Sequence, residues 1–174
     1  KTYSLDNRVT DSAASGTALA TGYKTNNGWL GMTPDGTAVE SIIAKAEKQN
    51  FATGLVATYA IQHATPASFY AGVKSRRMTY DIAKQFTESE VDVAIGAGLD
   101  HFINRPDSVD LTATLIDKGY DVYLSWEKVL GTASDKFVGI LPLVDVHRRE
   151  TDDNNTAGAA EGQEVCLAAQ LAAA

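Results

Sequence analysis

Cysteine and histidine are scarce in this chain: 174 residues carry one cysteine, Cys166, and three histidines. A lone cysteine excludes an internal disulfide and any zinc or iron–sulfur site built from several thiolates, and leaves the redox compartment open. No run of about 18 apolar residues occurs, so no helical membrane span is expected, and no signal peptide opens the sequence. Excess positive charge is missing too. Fifteen Lys and Arg stand against 22 Asp and Glu, for a net charge of -7, and such an acidic balance argues against a protein that reads a phosphate backbone, so no nucleic-acid partner is expected. The chain begins at Lys1 without an initiator Met, so upstream sequence could have been lost by processing or truncation. At 44% apolar and 21% charged residues, the composition is that of an ordinary globular domain.

Helical and strand-like patterns alternate along most of the chain. Asp35-Gly36 reads as a turn, and Thr37 with Glu40 as a capping box opening a helix to about Asn50, with Val39, Ile42, Ile43 and Ala46 as its buried stripe. Residues 52–59 suit a strand covered on both faces. Thr65-Pro66 reads as an N-cap and first helical position of a helix through about Val73. Further helices are expected over 79–88 and 110–118, the latter closed by Gly119. Strands are expected over 91–95, 120–124 and 137–141. Four strands with interleaved helices predict an α/β fold with a largely parallel sheet. Residues 1–150 form this unit, whereas 151–174 are polar and then alanine-rich, predicting a marginal helix or a disordered tail.

The segment from Val9 to Gly22 holds the sharpest chemical signal. Asp11 is placed as an N-cap, Ser12 sits in the first turn, and almost every residue behind them is small. Such a helix buries little apolar area and must be held by close backbone packing. Its N-terminus presents amides and partial positive charge suited to a phosphate, where a serine could attack phosphorus. The plainer reading makes Asp11 and Ser12 caps of a tightly packed helix.

Four ordered blocks narrow the choice. Asp11-Ser12-Ala13-Ala14-Ser15 with Thr17-Ala18 and 22–28, then 51–58, then Gln62-His63-Ala64-Thr65-Pro66-Ala67, then Ser75-Arg76-Arg77, together resemble the nucleophile-bearing part of alkaline phosphatases. The likeness is strong over about 8–77 and weaker to about 143. It implies a three-layer α/β fold and hydrolysis of small phosphate monoesters through a phosphoserine at Ser12. By the same resemblance Asp11 steadies the arginine and Arg76 clamps the phosphate, because a guanidinium offers two parallel hydrogen bonds where lysine cannot. Spacing alone would read Arg76 and Arg77, with Lys74, as a solvated basic cluster.

The resemblance also implies two zinc ions and one magnesium. Zinc would act on the Ser12 hydroxyl, Thr65 corresponds to a hydroxyl ligand of magnesium, and His63 would stand near that ion and act through its ligands. On residues alone Thr65 is equally an N-cap and His63 a packing residue. Most ligands of those ions are expected outside this chain, which alone should bind zinc poorly. A periplasmic or secreted location and a homodimer follow from the resemblance only. Its alternatives are a catalytically inert fragment with a structural or oligomerisation role, or a related phosphodiesterase or sulfatase.

The other polar candidates have plainer explanations. His101 beside Asp100 belongs to none of the four blocks, and His147 with Asp145 reads as surface. Gly96-Ala97-Gly98 lacks the rest of a dinucleotide fingerprint. Trp29 and Trp126 read as packing residues, with Trp29 close enough in sequence to the nucleophile helix to line its entrance.

Overall fold

The computed structural model describes residues 3–141 and 166–167. Helix α1 (Ser12–Thr21) is capped by Asp11, whose side chain accepts from Ala14 N, and ends at Gly22. Helix α2 (Ile42–Glu47) leads to strand β1 (Gly54–Ala60), followed by α3 (Ala64–Ala67), α4 (Thr79–Glu88) and β2 (Val93–Ala97). The chain then runs through α5 (Asp100–Ile103), α6 (Leu111–Asp117), β3 (Asp121–Tyr123), α7 (Trp126–Gly131) and β4 (Phe137–Leu141) to the two-residue β5 (Cys166–Leu167).

The sheet order is β3-β4-β2-β1-β5. The first four strands are parallel, with Leu55 opposite Ala94, Ala94 opposite Val138, and Val122 opposite Val138. Each crossover between them contains helix, as parallel pairing requires. β5 pairs antiparallel with Val56 and Ala57 of β1. The α/β expectation therefore holds. Cys166 and Leu167 are strand where a marginal helix or disorder was expected; the rest of the 151–174 tail, with Asp145 and His147, lies outside the described residues.

Alternation along the strands loads the two faces with different partners. Ala94, Val138 and Ile140 join Phe86, Phe102, Leu111 and Leu115 in the larger core. Phe137, Leu141 and Ala97 pack on Val129 of α7, with Trp126 beside them. Helices thus cover both faces, and burial of Phe86 alone is worth roughly 1.5–3 kcal/mol. A third cluster joins Ala13 of α1 to Ala64, Ala67, Leu30 and Val73. There α1 approaches α3 so closely that a Cβ on Gly16 would lie 2.6 Å from Ser68 Oγ. Small residues make that approach possible.

Three local expectations fail for identifiable reasons. Thr37 caps no helix: its N–H donates to Asp35 Oδ1 at 3.1 Å, closing the Asp35-Gly36 turn on itself. The helix starts instead behind Ser41, whose Oγ accepts from Ala44 N at 3.1 Å and donates to Phe69 O at 2.5 Å. Of the expected stripe only Ile43 is buried, and Ile42 is 59% exposed. Thr65 is likewise no cap. His63 occupies that position, and α3 closes after Ala67 rather than Val73.

Candidate active site

Ligand sites in parallel sheets form beyond the carboxyl ends of the strands. Here β1 ends at Ala60, and the next residues are fixed by main-chain bonds: Ile61 N–H donates to Ala97 O at 3.0 Å and His63 N–H to Ala60 O at 2.9 Å. This sets His63 at the start of α3, its ring edge-on to Tyr59 with centroids 5.1 Å apart. Packing of α1 on α3 brings the N-terminus of α1 to the same end of the sheet.

Arg76 comes to this place by a different route. Leu30 and Val73 form an antiparallel bridge, with N–H to O distances of 2.9 and 3.0 Å in the two directions. The pairing extends to Arg76 N–H, which donates to Gly28 O at 2.6 Å. The guanidinium then folds back over α1. Its Nη1 donates to Ser12 Oγ at 2.5 Å, and its Nη2 lies 2.9 Å from His63 Nε2. A guanidinium has no acceptor, so in this contact His63 Nε2 accepts.

Asp11 orders the other side of this pair. Its Oδ1 accepts from Ala14 N at 2.9 Å and its Oδ2 from Gly28 N at 2.9 Å. The same Oδ2 lies 3.7 Å from Arg76 Nη1, with the two side chains 29% and 27% exposed. At that distance and exposure the ion pair is worth at most about 1 kcal/mol. Its importance is directional: a carboxylate held by two amides fixes where the guanidinium finds its counter-charge. Ser12 follows this cap directly, and the first main-chain bond of α1, Ser15 N–H to Asp11 O at 3.0 Å, begins behind it.

The structure therefore gathers Asp11, Ser12, His63 and Arg76 from three separate segments. Thr65 lies in the first turn of α3, two residues past His63 and half-buried. Arg77 is exposed, with its backbone N–H turned to Ser75 Oγ at 3.3 Å. His101 is a packed residue, its Nδ1 2.6 Å from Gln62 Nε2 and its ring against Tyr80. The sequence reading gave no role to Asn27 and Gly28, which bond to Asp11 and Arg76; the Asn26-Asn27-Gly28 turn signature was the available clue. Among the described residues no group of three or more His, Cys, Asp or Glu converges to hold a metal ion.

Chemically, the cluster offers one hydroxyl beside one cation at a helix start. Each Nη carries a second N–H beyond the one given to Ser12 or His63, so the fork can still address an anion next to the hydroxyl. This is the donor arrangement that attack on a phosphoryl group requires, with positive charge set where negative charge develops.

Residues 1–128 match the family model described as alkaline phosphatase. The chain is 40% identical over 139 residues to alkaline phosphatase 4 of Bacillus subtilis, a match covering 76% of this chain and 30% of that protein. It is similar to the solved alkaline phosphatase of the Antarctic bacterium TAB5, with TM-score 0.78 and 39% identity over 82% of this chain and 42% of that one. The Thermus thermophilus alkaline phosphatase structure matches with TM-score 0.76 and 35% identity over 81% of this chain and 30% of that one. The chain thus spans less than a third of the length of the curated Bacillus subtilis relative.

Proposed function

Because the chain belongs to the alkaline phosphatase family, we propose that it supplies the nucleophile and the phosphate clamp of a metal-dependent phosphomonoesterase. The observation that carries this reading is the 2.5 Å contact between Arg76 Nη1 and Ser12 Oγ. In the proposed reaction Ser12 Oγ bonds to phosphorus as the ester P–O bond breaks. The serine proton passes to solvent and the departing alkoxide takes one up. Water then attacks phosphorus, the P–Oγ bond breaks, and Ser12 regains a proton as inorganic phosphate leaves.

Arg76 and the N-terminus of α1 hold the phosphoryl oxygens through both steps. Asp11 keeps the guanidinium in place, and His63, accepting from Nη2, limits its rotation. Substrates are small phosphate monoesters, since every recognition group in the cluster addresses the phosphoryl end.

Two zinc ions and one magnesium belong to this proposal as cofactors with most of their ligands outside this chain. The described residues do not fit such ions on their own, because no three of their acids, histidines or cysteines converge, so no step is routed through a metal. Thr65, His63 and Ser12 are the residues of this chain that would face them. A homodimer in the periplasm or outside the cell completes the reading.

The lack of a converging ligand group among the described residues favours a second reading, in which the chain alone is catalytically inert. Incubation with a labelled phosphate ester, with zinc and magnesium supplied, separates the two. Acid-stable label that vanishes in Ser12→Ala supports the phosphoserine; an unlabelled chain under every metal condition supports the inert fragment.

A further inference from the structure

The turn at residues 26–28 touches both halves of the cluster without entering it. Asn27 Oδ1 accepts from Asp11 N–H at 3.0 Å, and Asn27 Nδ2 donates to Val9 O at 2.9 Å. One side-chain amide thus pairs with the peptide groups on either side of Thr10, as a neighbouring strand would, and fixes the direction in which the chain enters α1. Gly28 continues the same construction. Its N–H donates to Asp11 Oδ2 at 2.9 Å, and its carbonyl accepts from Arg76 N–H at 2.6 Å.

Gly28 has φ +81°, and nothing stands within 4 Å of a Cβ placed on it. The requirement for glycine there is conformational: the left-handed backbone aims N–H at the nucleophile helix and C=O at the arginine segment. The turn is anchored from behind, where Asn27 N–H donates to Asp6 Oδ1 at 2.9 Å.

We propose that Asn27 is a positioning residue for phosphoryl transfer at Ser12, setting the entry of α1 while the adjoining Gly28 ties the Asp11 carboxylate to the backbone of Arg76. The nucleophile and its clamp hang from two consecutive residues of one turn, so a displacement of Asn27 moves both ends of the Ser12–Arg76 contact. This rests on the phosphoserine reading above for its consequence, and on hydrogen bonds alone for its geometry. A misplacement of about 1 Å at a reacting centre costs roughly 100-fold in rate, which is the size of effect expected from losing both amide bonds.

The test uses the 174-residue chain, native and as Asn27→Ala and Asn27→Asp, with zinc and magnesium present. Asn27→Asp keeps the acceptor for Asp11 N–H, loses the donor to Val9 O and adds a negative charge beside Asp11 and Asp6. Nuclear Overhauser contact between the Arg76 guanidinium and the Ser12 β-protons should be weaker in both Asn27→Asp and Asn27→Ala than in the native chain, with the amide signals of β1, β2 and β4 unmoved. Native contact intensity in either folded variant overturns the proposal, as does a shift of the sheet amides equal to that at the site. If Asn27→Ala does not fold, Asn27→Asp decides alone by the same criterion.

Labelling of Ser12 by a ³²P-labelled aryl phosphate supplies the second readout. The rate should fall roughly 100-fold in Asn27→Ala with the half-saturating ester concentration little changed, and an unchanged rate in a labelling-competent chain overturns the proposal. A native chain that takes no label supports the inert-fragment reading above, while the Overhauser measurement still decides the role of Asn27.

Discussion

Arg76 Nη1 donates to the hydroxyl of Ser12 at 2.5 Å across 64 residues of sequence. The same guanidinium reaches His63 through Nη2, so its two ends are fixed at once and its plane is defined. A lysine ammonium is a single point charge and can hold one of these partners in that geometry. Arg76→Lys is therefore expected to behave much as Arg76→Ala does, each slowing phosphate transfer to Ser12 by roughly 100- to 1,000-fold, the usual cost of removing a preorganised donor. Arg77→Ala should leave the rate near native, because that side chain is exposed. Initial rates of Ser12 labelling compare the three. Equal losses at 76 and 77 would mean that general positive charge, not the fork, does the work.

Asp11 combines an N-cap with a tether to Gly28, and its removal should register in stability as well as in rate. Asp11→Ala leaves the Ala14 and Gly28 amides without their acceptor and is expected to cost about 1–2 kcal/mol. Asp11→Asn retains a side-chain oxygen for the cap and should recover part of this. Urea unfolding midpoints at constant slope give the comparison. A native midpoint in Asp11→Ala would show that other groups hold the start of α1.

The small residues of α1 make a prediction that their polarity alone would not. A Cβ at Gly16 would fall 2.6 Å from Ser68 Oγ and 3.1 Å from Ser68 Cβ. Gly16→Val should consequently destabilise by about 1–3 kcal/mol through overpacking against α3, despite valine's better helix propensity than glycine. Leu19, on the same helix and 78% exposed, should tolerate alanine within about 0.5 kcal/mol. Thermal melts of the two variants test the contrast. Similar behaviour of both would contradict the close α1–α3 contact.

These contrasts mark where sequence was legible. Asp11 was readable as a cap because its signal is local: a carboxylate three residues before the amide it accepts from. Strands β2 and β4 were readable because their apolar side chains face packed layers on both sides. Thr37 and Thr65 misled for the same reason that made Asp11 clear. Each matched a local cap signature, but Asp35 claimed the Thr37 amide inside its own turn, and the main-chain bond from His63 to Ala60 set the start of α3 two residues earlier. The meeting of Ser12, His63 and Arg76 is tertiary. No spacing encodes it, and only the family likeness pointed there before the Leu30–Val73 bridge and the α1–α3 packing explained how the segments meet.

Glu47, at the end of α2, gives a prediction in pH. Partial burial raises its carboxyl above the ordinary 4.5, an effect opposed by the hydrogen bond from Thr53 and reinforced by the nearby charges of Asp92 and Glu90. Thr53 Oγ1 stands 3.3 Å from Glu47 Oε1, and the Thr53 amide is committed to Asp92 Oδ2 at 2.8 Å, so the two acids are drawn to one side of that residue. An acid with a raised folded-state pKa is ionised more easily in the unfolded chain. Stability contributed by the protonated form is present below the unfolded value and is lost as pH rises through the folded one. Glu47→Gln removes this titration while keeping an oxygen for Thr53. Relative to native, the variant should gain stability as pH rises above the ordinary carboxyl value of 4.5 and hold a constant advantage once native Glu47 is fully ionised. Urea midpoints of both proteins across that range measure the difference. A difference that shrinks with rising pH would mean that the Thr53 bond outweighs burial, and that the ionised carboxylate is the form this corner of the fold prefers.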